Sequence, residues 1–294
     1  MIMNIWTAMG GIVMVEFFQA LQDPDLVFLR YALILCLFAS VPLGAVGTLV
    51  VARRISYLAA AIAHSALGGI GAALYLREAM AWFWLTPMLG ALLSAILSAA
   101  LVGWVSLRAR EREEAAIGAI WVSGMAIGLL CLYNTTSYVD PMGYLFGDIL
   151  LVQVTDLQLA AVVGLVITGT LLLAYRPVMA VCFDAEFAAI RGVRSKWVYL
   201  LLLQMTALSV VLLVSLVGIV LVIALLTLPP AIASMRARSL WQMVFGSILL
   251  SAFFLVSGLA LSFIWDVPTG PIVILVAVLV YAVSLLWERF RSKG

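Results

Sequence analysis

The uncharged run WVYLLLLQMTALSVVLLVSLVGIVLVIALLTLPPAIAS, residues 197–234, decides how this chain is built. As one helix it would extend about 57 Å at roughly 1.5 Å per residue, nearly twice the ~30 Å hydrocarbon core of a bilayer. Gly218 and the pair Pro229-Pro230 interrupt it, so it divides into two crossings, 197–216 and 218–234. Outward from this stretch, apolar runs bounded by charge, Pro or Gly fall at 26–52, 57–76, 82–107, 115–134, 157–175, 241–264 and 271–288. The chain therefore reads as an all-α, polytopic transmembrane helical bundle of about nine crossings, with eight to ten possible at roughly 20 apolar residues each.

The charges test that division. With the N-terminus outside the cytoplasm, Arg53, Arg54, Arg108, Arg110, Arg112, Arg176, Arg191, Arg194, Lys196, Arg236, Arg238, Arg289, Arg291 and Lys293 all fall inside. Those are 14 of the 16 basic residues, and only Arg30 and Arg77 remain outside. Merging 197–234 into one span would put the later basic loops on the wrong face. Composition agrees, since 66% of the 294 residues are hydrophobic and 10% are charged, which leaves little for a soluble domain and nothing that suggests nucleic acid. No basic residue precedes Arg30, so a cleaved signal peptide is not expected. Cys36, Cys131 and Cys182 are far apart and lack CxxC spacing, and they read as small apolar fillers. Residues 1–25 are expected to lie along the outer interface, anchored by Trp6, Phe17 and Phe18.

No phosphate-cradling GxxxxGK[ST] loop exists: the two lysines, Lys196 and Lys293, do not follow Gly. A pump built on this chain must draw its energy from a separate protein. The longest inside segment, 176–196, offers a contact for one. In Phe183-Asp184-Ala185-Glu186-Phe187-Ala188-Ala189-Ile190-Arg191-Gly192, Asp184 caps a short helix and Gly192 ends it. Phe183, Phe187 and Ile190 fall at i, i+4 and i+7 on one face. Such a helix either packs on its own bundle or seats as a coupling helix in a partner ATPase.

His64 is the only histidine and sits inside the second apolar run among Ala60, Ala61, Ala63, Ala66, Gly68, Gly69 and Gly71, small residues that let helices approach closely. An imidazole at that depth must face other helices or a watered path, where it either hydrogen-bonds a neighbour or touches a borderline metal ion. Further candidate ligands are Asp266, in WDVPTGP, and Asp140 and Asp148, in DPMGYLFGD, with helix capping as the alternative for each and the better account of Asp148.

These segments together resemble the ABC-type zinc and manganese permeases, related in fold to vitamin B12 and siderophore importers. The resemblance runs from about residue 25 and rests on Arg53-Arg54-Ile55-Ser56-Tyr57 to His64-Ser65, Tyr144-Leu145-Phe146-Gly147-Asp148, Phe183-Asp184 to Arg191-Gly192-Val193, Val217-Gly218 to Pro229-Pro230-Ala231, and Pro268-Thr269-Gly270-Pro271. It implies a type II ABC importer permease in the bacterial cytoplasmic membrane, with residues 26–294 as one permease domain and the C-terminus inside. It further implies two copies around a central path, two cytoplasmic ATPases, an extracytoplasmic metal-binding protein, Zn2+ or Mn2+ as transported ion, and no permanently bound cofactor. The coupling element is then Phe183, Asp184, Glu186, Phe187, Ile190, Arg191 and Gly192, and the transient ion contacts are His64, Asp266 and Asp140. Members of the family usually read GDALAHS in the second helix. Here Ala60 stands at the Asp position while His64 is kept, which favours zinc over a harder ion. Some zinc members carry a second His in the fourth helix, where this chain has Trp121, and that pulls the other way.

Other classes fit less well. An ion-coupled secondary transporter needs carboxylates or lysines at mid-membrane, and the apolar runs lack them; an inert scaffold would not need the coupling-like helix; an intramembrane enzyme would need a catalytic set that one His cannot form. A permease for a metal chelate or another small solute remains open on the same architecture.

Overall fold

The computed structural model describes residues 17, 19–108, 113–135 and 154–291, and every regular element among them is helical. The reason is solvation: in hydrocarbon a backbone N–H or C=O finds no water, and a helix satisfies both groups internally. The elements are α1 (Val27–Ala52), α2 (Ser56–Ala79), α3 (Pro87–Arg108), α4 (Glu113–Tyr133), α5 (Val154–Leu173), α6 (Tyr175–Phe183), α7 (Ala185–Ile190), α8 (Ser195–Val217), α9 (Ile219–Ser234), α10 (Leu240–Trp265) and α11 (Thr269–Arg291). Among the described residues, 7 helices are long and apolar enough to cross a membrane by themselves, and the bent pair α5–α6 makes 8. The 16-residue α9 is shorter, about 24 Å at roughly 1.5 Å per residue. Against the expectation of about nine crossings, the described residues hold 7 to 8 such spans, with α9 a further, shorter apolar helix.

The bundle has two groups joined by α8. In one, α2 is clasped between α3 and α4; in the other, α1, α5, α9, α10 and α11 pack together, and α8 touches α3, α2, α1, α5 and α9. The division of the 197–234 run holds. Gly218 breaks the chain at φ +83 and ψ 158, a backbone that only glycine adopts without strain. The two halves return to the same face. Tyr199 near the start of α8 meets Ser106 at the end of α3 (2.9 Å), and Pro230 near the end of α9 reaches Gly47 near the end of α1. The ends of α1 and α3 share one groove, lined by Arg53, Arg54, Ser106 and Tyr199.

The crossing read over 218–234 is the helix Ile219–Ser234, and Pro229-Pro230, read as an interruption of the run, lies within it without breaking it. Pro230 has no N–H for the carbonyl of Leu226, four residues back. That freed carbonyl turns to α1, where it would lie 2.7 Å from a Cβ on Gly47, so glycine there makes room for it. The chain is helical from Tyr175 through Phe183, joined to α5 by a 72° bend, with Pro177 in the first turn of α6 where its missing N–H costs nothing.

Several buried hydroxyls bond to their own helix. Thr48 donates to the Gly44 carbonyl (2.7 Å) and lies 3.0 Å from Ser247 Oγ, pinning α1 to α10 where Gly44 lets the backbones close. Phe17 does not anchor in the lipid interface: it is 3% exposed and meets Phe263 edge-on at 6.4 Å, while Trp6 and Phe18 lie outside the described residues. Cys36, Cys131 and Cys182 are free thiols.

Candidate functional site

α7 is held from one side and open on the other. The Asp184 carboxylate accepts from the N–H groups of Glu186 (3.0 Å) and Phe187 (2.9 Å), satisfying donors that a six-residue helix otherwise leaves bare. Gly192 ends it at φ +84, and the N–H of Val193 reaches back to the Ala188 carbonyl (3.0 Å). Ser195 donates to the Ala185 carbonyl at 2.8 Å. Beneath, Ala188 is buried with Leu49, Val178, Val181, Val198 and Leu202, and Arg53 ties α1 to α6 by donating to the Val181 carbonyl (2.8 Å). Above, Phe183, Phe187 and Ile190 are 75%, 53% and 83% exposed, and the Arg191 guanidinium lies 5.1 Å over the Phe187 ring. A rigid platform with three bare apolar side chains is an unfilled contact.

His64 lies eight residues into α2, about 12 Å from the α7 face at roughly 1.5 Å per residue. Its ring stacks on Trp121 of α4 with centroids 4.8 Å apart and 14° between planes. Its Nδ1 is buried with no hydrogen-bond partner among the described residues. A buried nitrogen left unmatched is uncommon and calls for a partner that is not always there. Stacking fixes the ring and leaves Nδ1 in a buried, unpartnered position.

Close glycines place that ring. Gly124 and Gly128, one helical turn apart on α4, approach Ser65, Leu67 and Gly68 on α2. A Cβ on Gly128 would lie 2.5 Å from the Leu67 carbonyl oxygen. On the other flank Ser94 of α3 donates to the Ser65 carbonyl (2.7 Å). The Gly124-x-x-x-Gly128 spacing was readable as a close-packing motif, and its partner helix was not.

Asp266 lies at the opposite end of the bundle from α7. It is exposed and left-handed (φ +52), closing α10 with the Val267 N–H bonded to the Ser262 carbonyl (3.2 Å). Its helices pack on α1, α9 and each other, whereas α2 packs on α3, α4, α8 and α9, so one chain does not bring His64 and Asp266 into one site. Among the described residues no group of three or more His, Cys, Asp or Glu could hold a metal ion. Asp140 and Tyr144–Asp148 fall outside the described residues. Replacing Asp266 by Asn keeps a residue that tolerates the left-handed backbone but removes the charge. If Asp266 meets the ion at the mouth, this variant raises the half-saturating ion concentration of uptake without changing the melting temperature; unchanged saturation leaves Asp266 as a helix terminator alone.

A multi-pass, helical membrane protein with a capped, exposed short helix is the class these features define. A family model described as the ABC 3 transport family matches residues 25–288, and the chain belongs to that family. It is similar to the manganese import system permease protein ScaB of Streptococcus parasanguinis, 30% identical over 95% of this chain and 96% of that one. It is equally similar to the high-affinity zinc uptake system membrane protein ZnuB of Buchnera aphidicola, 30% identical over 85% of this chain and 93% of that one. Among solved structures, PsaBC from Streptococcus pneumoniae in complex with Fab matches with a TM-score of 0.81 at 28% identity, covering 92% of this chain and 95% of that chain.

Proposed function

We propose that this chain is the membrane-spanning permease subunit of an ATP-driven importer of divalent transition metal ions, zinc or manganese. The observation that carries the reading is α7: a short helix capped by Asp184 and fixed through Ala188, with Phe183, Phe187 and Ile190 bare, on a chain that has no nucleotide loop. Its partner is a cytoplasmic ABC ATPase, and the chain itself hydrolyses nothing. Two copies line the path in a bacterial cytoplasmic membrane, and an extracytoplasmic metal-binding protein delivers the ion. The names of relatives divide between manganese and zinc at equal identity, so the chemistry of the path must discriminate.

In this reading residues 26–294 are one permease domain. ATP closes the ATPases, α7 of each copy moves with them, and α5–α6, α8 and the α1–α2 corner packed beneath α7 move as a block. The ion passes Asp266 at the outer end and His64 further in, and Asp140 is proposed as a further transient contact. One imidazole is a weak ligand, as a path that must release its ion requires. His64→Ala is expected to lower uptake about tenfold, the scale of losing roughly 1.4 kcal/mol of ion contact, while ATPase co-purification is unchanged. Unaltered uptake by His64→Ala would leave the ring as a packing element of the α2–α4 seam. The ion itself is named by elemental mass spectrometry of metal-limited cells with and without the chain. A selective deficit of zinc or manganese supports the proposal, and no deficit in any transition metal overturns it in favour of a chelate or other small solute.

A further inference from the structure

Between α3 and α8, at the end nearest α7, runs a groove of about 910 Å³ that no step above uses. It opens because α5 turns away through the 72° bend, leaving Ala174 and Pro177 at its rim. Away from the end nearest α7 the lining is mostly apolar, with Ala100, Leu200 and Leu201 as its floor and Gln204, which donates to the Ile96 carbonyl, as the polar residue beside them. The α7 end of the groove is cationic: Arg108 closes α3 and Lys196 lies in the first turn of α8, both exposed. Trp104, one turn before Arg108, carries the guanidinium 5.2 Å over its ring, and Trp104 and Trp197 are 55% and 69% exposed beside the two cations. Among the described residues no carboxylate pairs with either cation. Around the corner a second groove of about 770 Å³ shares Lys196 and Trp197 and adds Arg53, Arg54 and Arg194 against the single carboxylate of Glu186, so the excess of positive charge extends past the mouth.

We propose that this groove is a binding site for one anionic glycerophospholipid of the cytoplasmic leaflet. Each part of the lipid has a match. The phosphate meets Arg108 and Lys196, the glycerol backbone lies at the depth of the two indoles, and an acyl chain covers the Ala100–Leu201 floor. A soluble anion would satisfy the cations and leave the apolar floor bare. An acidic protein surface would reach the rim and not the floor below it.

The test uses the full chain with its ATPase, delipidated in detergent and placed in phosphatidylcholine nanodiscs with a titrated fraction of phosphatidylglycerol; native mass spectrometry counts the retained lipids. The wild type is expected to retain phosphatidylglycerol in preference to phosphatidylcholine. R108Q/K196Q should bind it on the order of tenfold more weakly, and R108K/K196R should restore it. A100F, which fills the floor without touching a charge, should also lose it, and glycerol phosphate, which has no acyl chain, should not displace it. Equal phosphatidylglycerol retention by the wild type and R108Q/K196Q overturns the proposal. Displacement by glycerol phosphate overturns it in favour of a soluble anion. Loss of the ATPase from R108Q/K196Q with lipid retention intact overturns it by giving the cations to the partner protein. The readout is lipid, not ion uptake, so it stands or falls separately from the cargo.

Discussion

Replacing Phe187 by Glu is expected to free the ATPase from the permease. Phe187 is the middle of three bare apolar side chains, between Phe183 at the end of α6 and Ile190 at the end of α7, held at that place by Asp184 below and by the Arg191 guanidinium above its ring. Seating it in a partner removes an aromatic side chain from water; the variant both forfeits that and puts a carboxylate into an apolar socket. Central anchors of this kind cost about 2–4 kcal/mol when lost, roughly a 30- to 700-fold weaker association. The permease itself should be untouched, because Phe187 lies outside the cluster around Ala188. Co-purification with the tagged ATPase, alongside the melting temperature of the permease alone, reads the two effects separately. Ala188→Glu provides the contrast: Ala188 is 1% exposed, so a charge there should lower the melting temperature first. Intact co-purification of Phe187→Glu would move the docking surface away from α7.

Gly128→Leu is expected to have the other large effect, on the bundle itself. A Cβ at Gly128 would meet the backbone of Leu67 and Gly68, at 2.5 Å from the carbonyl oxygen and 2.9 Å from the nitrogen, and backbone cannot rotate aside as a side chain can. Overpacking of this kind costs about 1–3 kcal/mol for small additions, and a full isobutyl group forces α4 away from α2. Trp121 lies two turns before Gly128 on the same helix, so the shift also opens the stack that fixes His64. A markedly lower melting temperature with lost uptake is the expected pair of results. Gly118→Leu is the control, since nothing lies within 4 Å of a Cβ there. Equal stability of the two variants would show that the seam yields more readily than its contacts imply.

Much of this was legible in the residues. The split at Gly218, the ends of the apolar runs and the capped helix over Asp184–Gly192 were readable because each depends on local chemistry: hydrophobic length against bilayer thickness, a backbone only glycine adopts freely, and a carboxylate three residues before an orphan N–H. Phe187 and Ile190 are exposed on α7 as expected, but Phe183 closes α6 and the extended Asp184 separates it from them, so the three do not lie on one continuous helix face. His64 was legible as a candidate because an ionisable group in an apolar run is rare.

What stayed hidden depended on residues far apart in the chain. Proline reads as a helix end, and Pro230 stays inside α9 because Gly47, on another helix, receives the carbonyl it frees. The 72° bend after α5 and the groove it opens depend on how α6 lies against α1 and α8. The Trp121 indole could be read only as a missing ligand until α4 was seen to bring it face to face with His64. The sequence by itself thus determined a bilayer-spanning helical chain, its break at Gly218 and the capped short helix after Asp184, because apolar length, backbone permissiveness and capping are local properties. Only the tertiary structure decided which helices flank α2, what holds the His64 ring and why Asp266 stands apart from it, because helices of similar apolar character pack by the shapes of small residues that meet across the bundle.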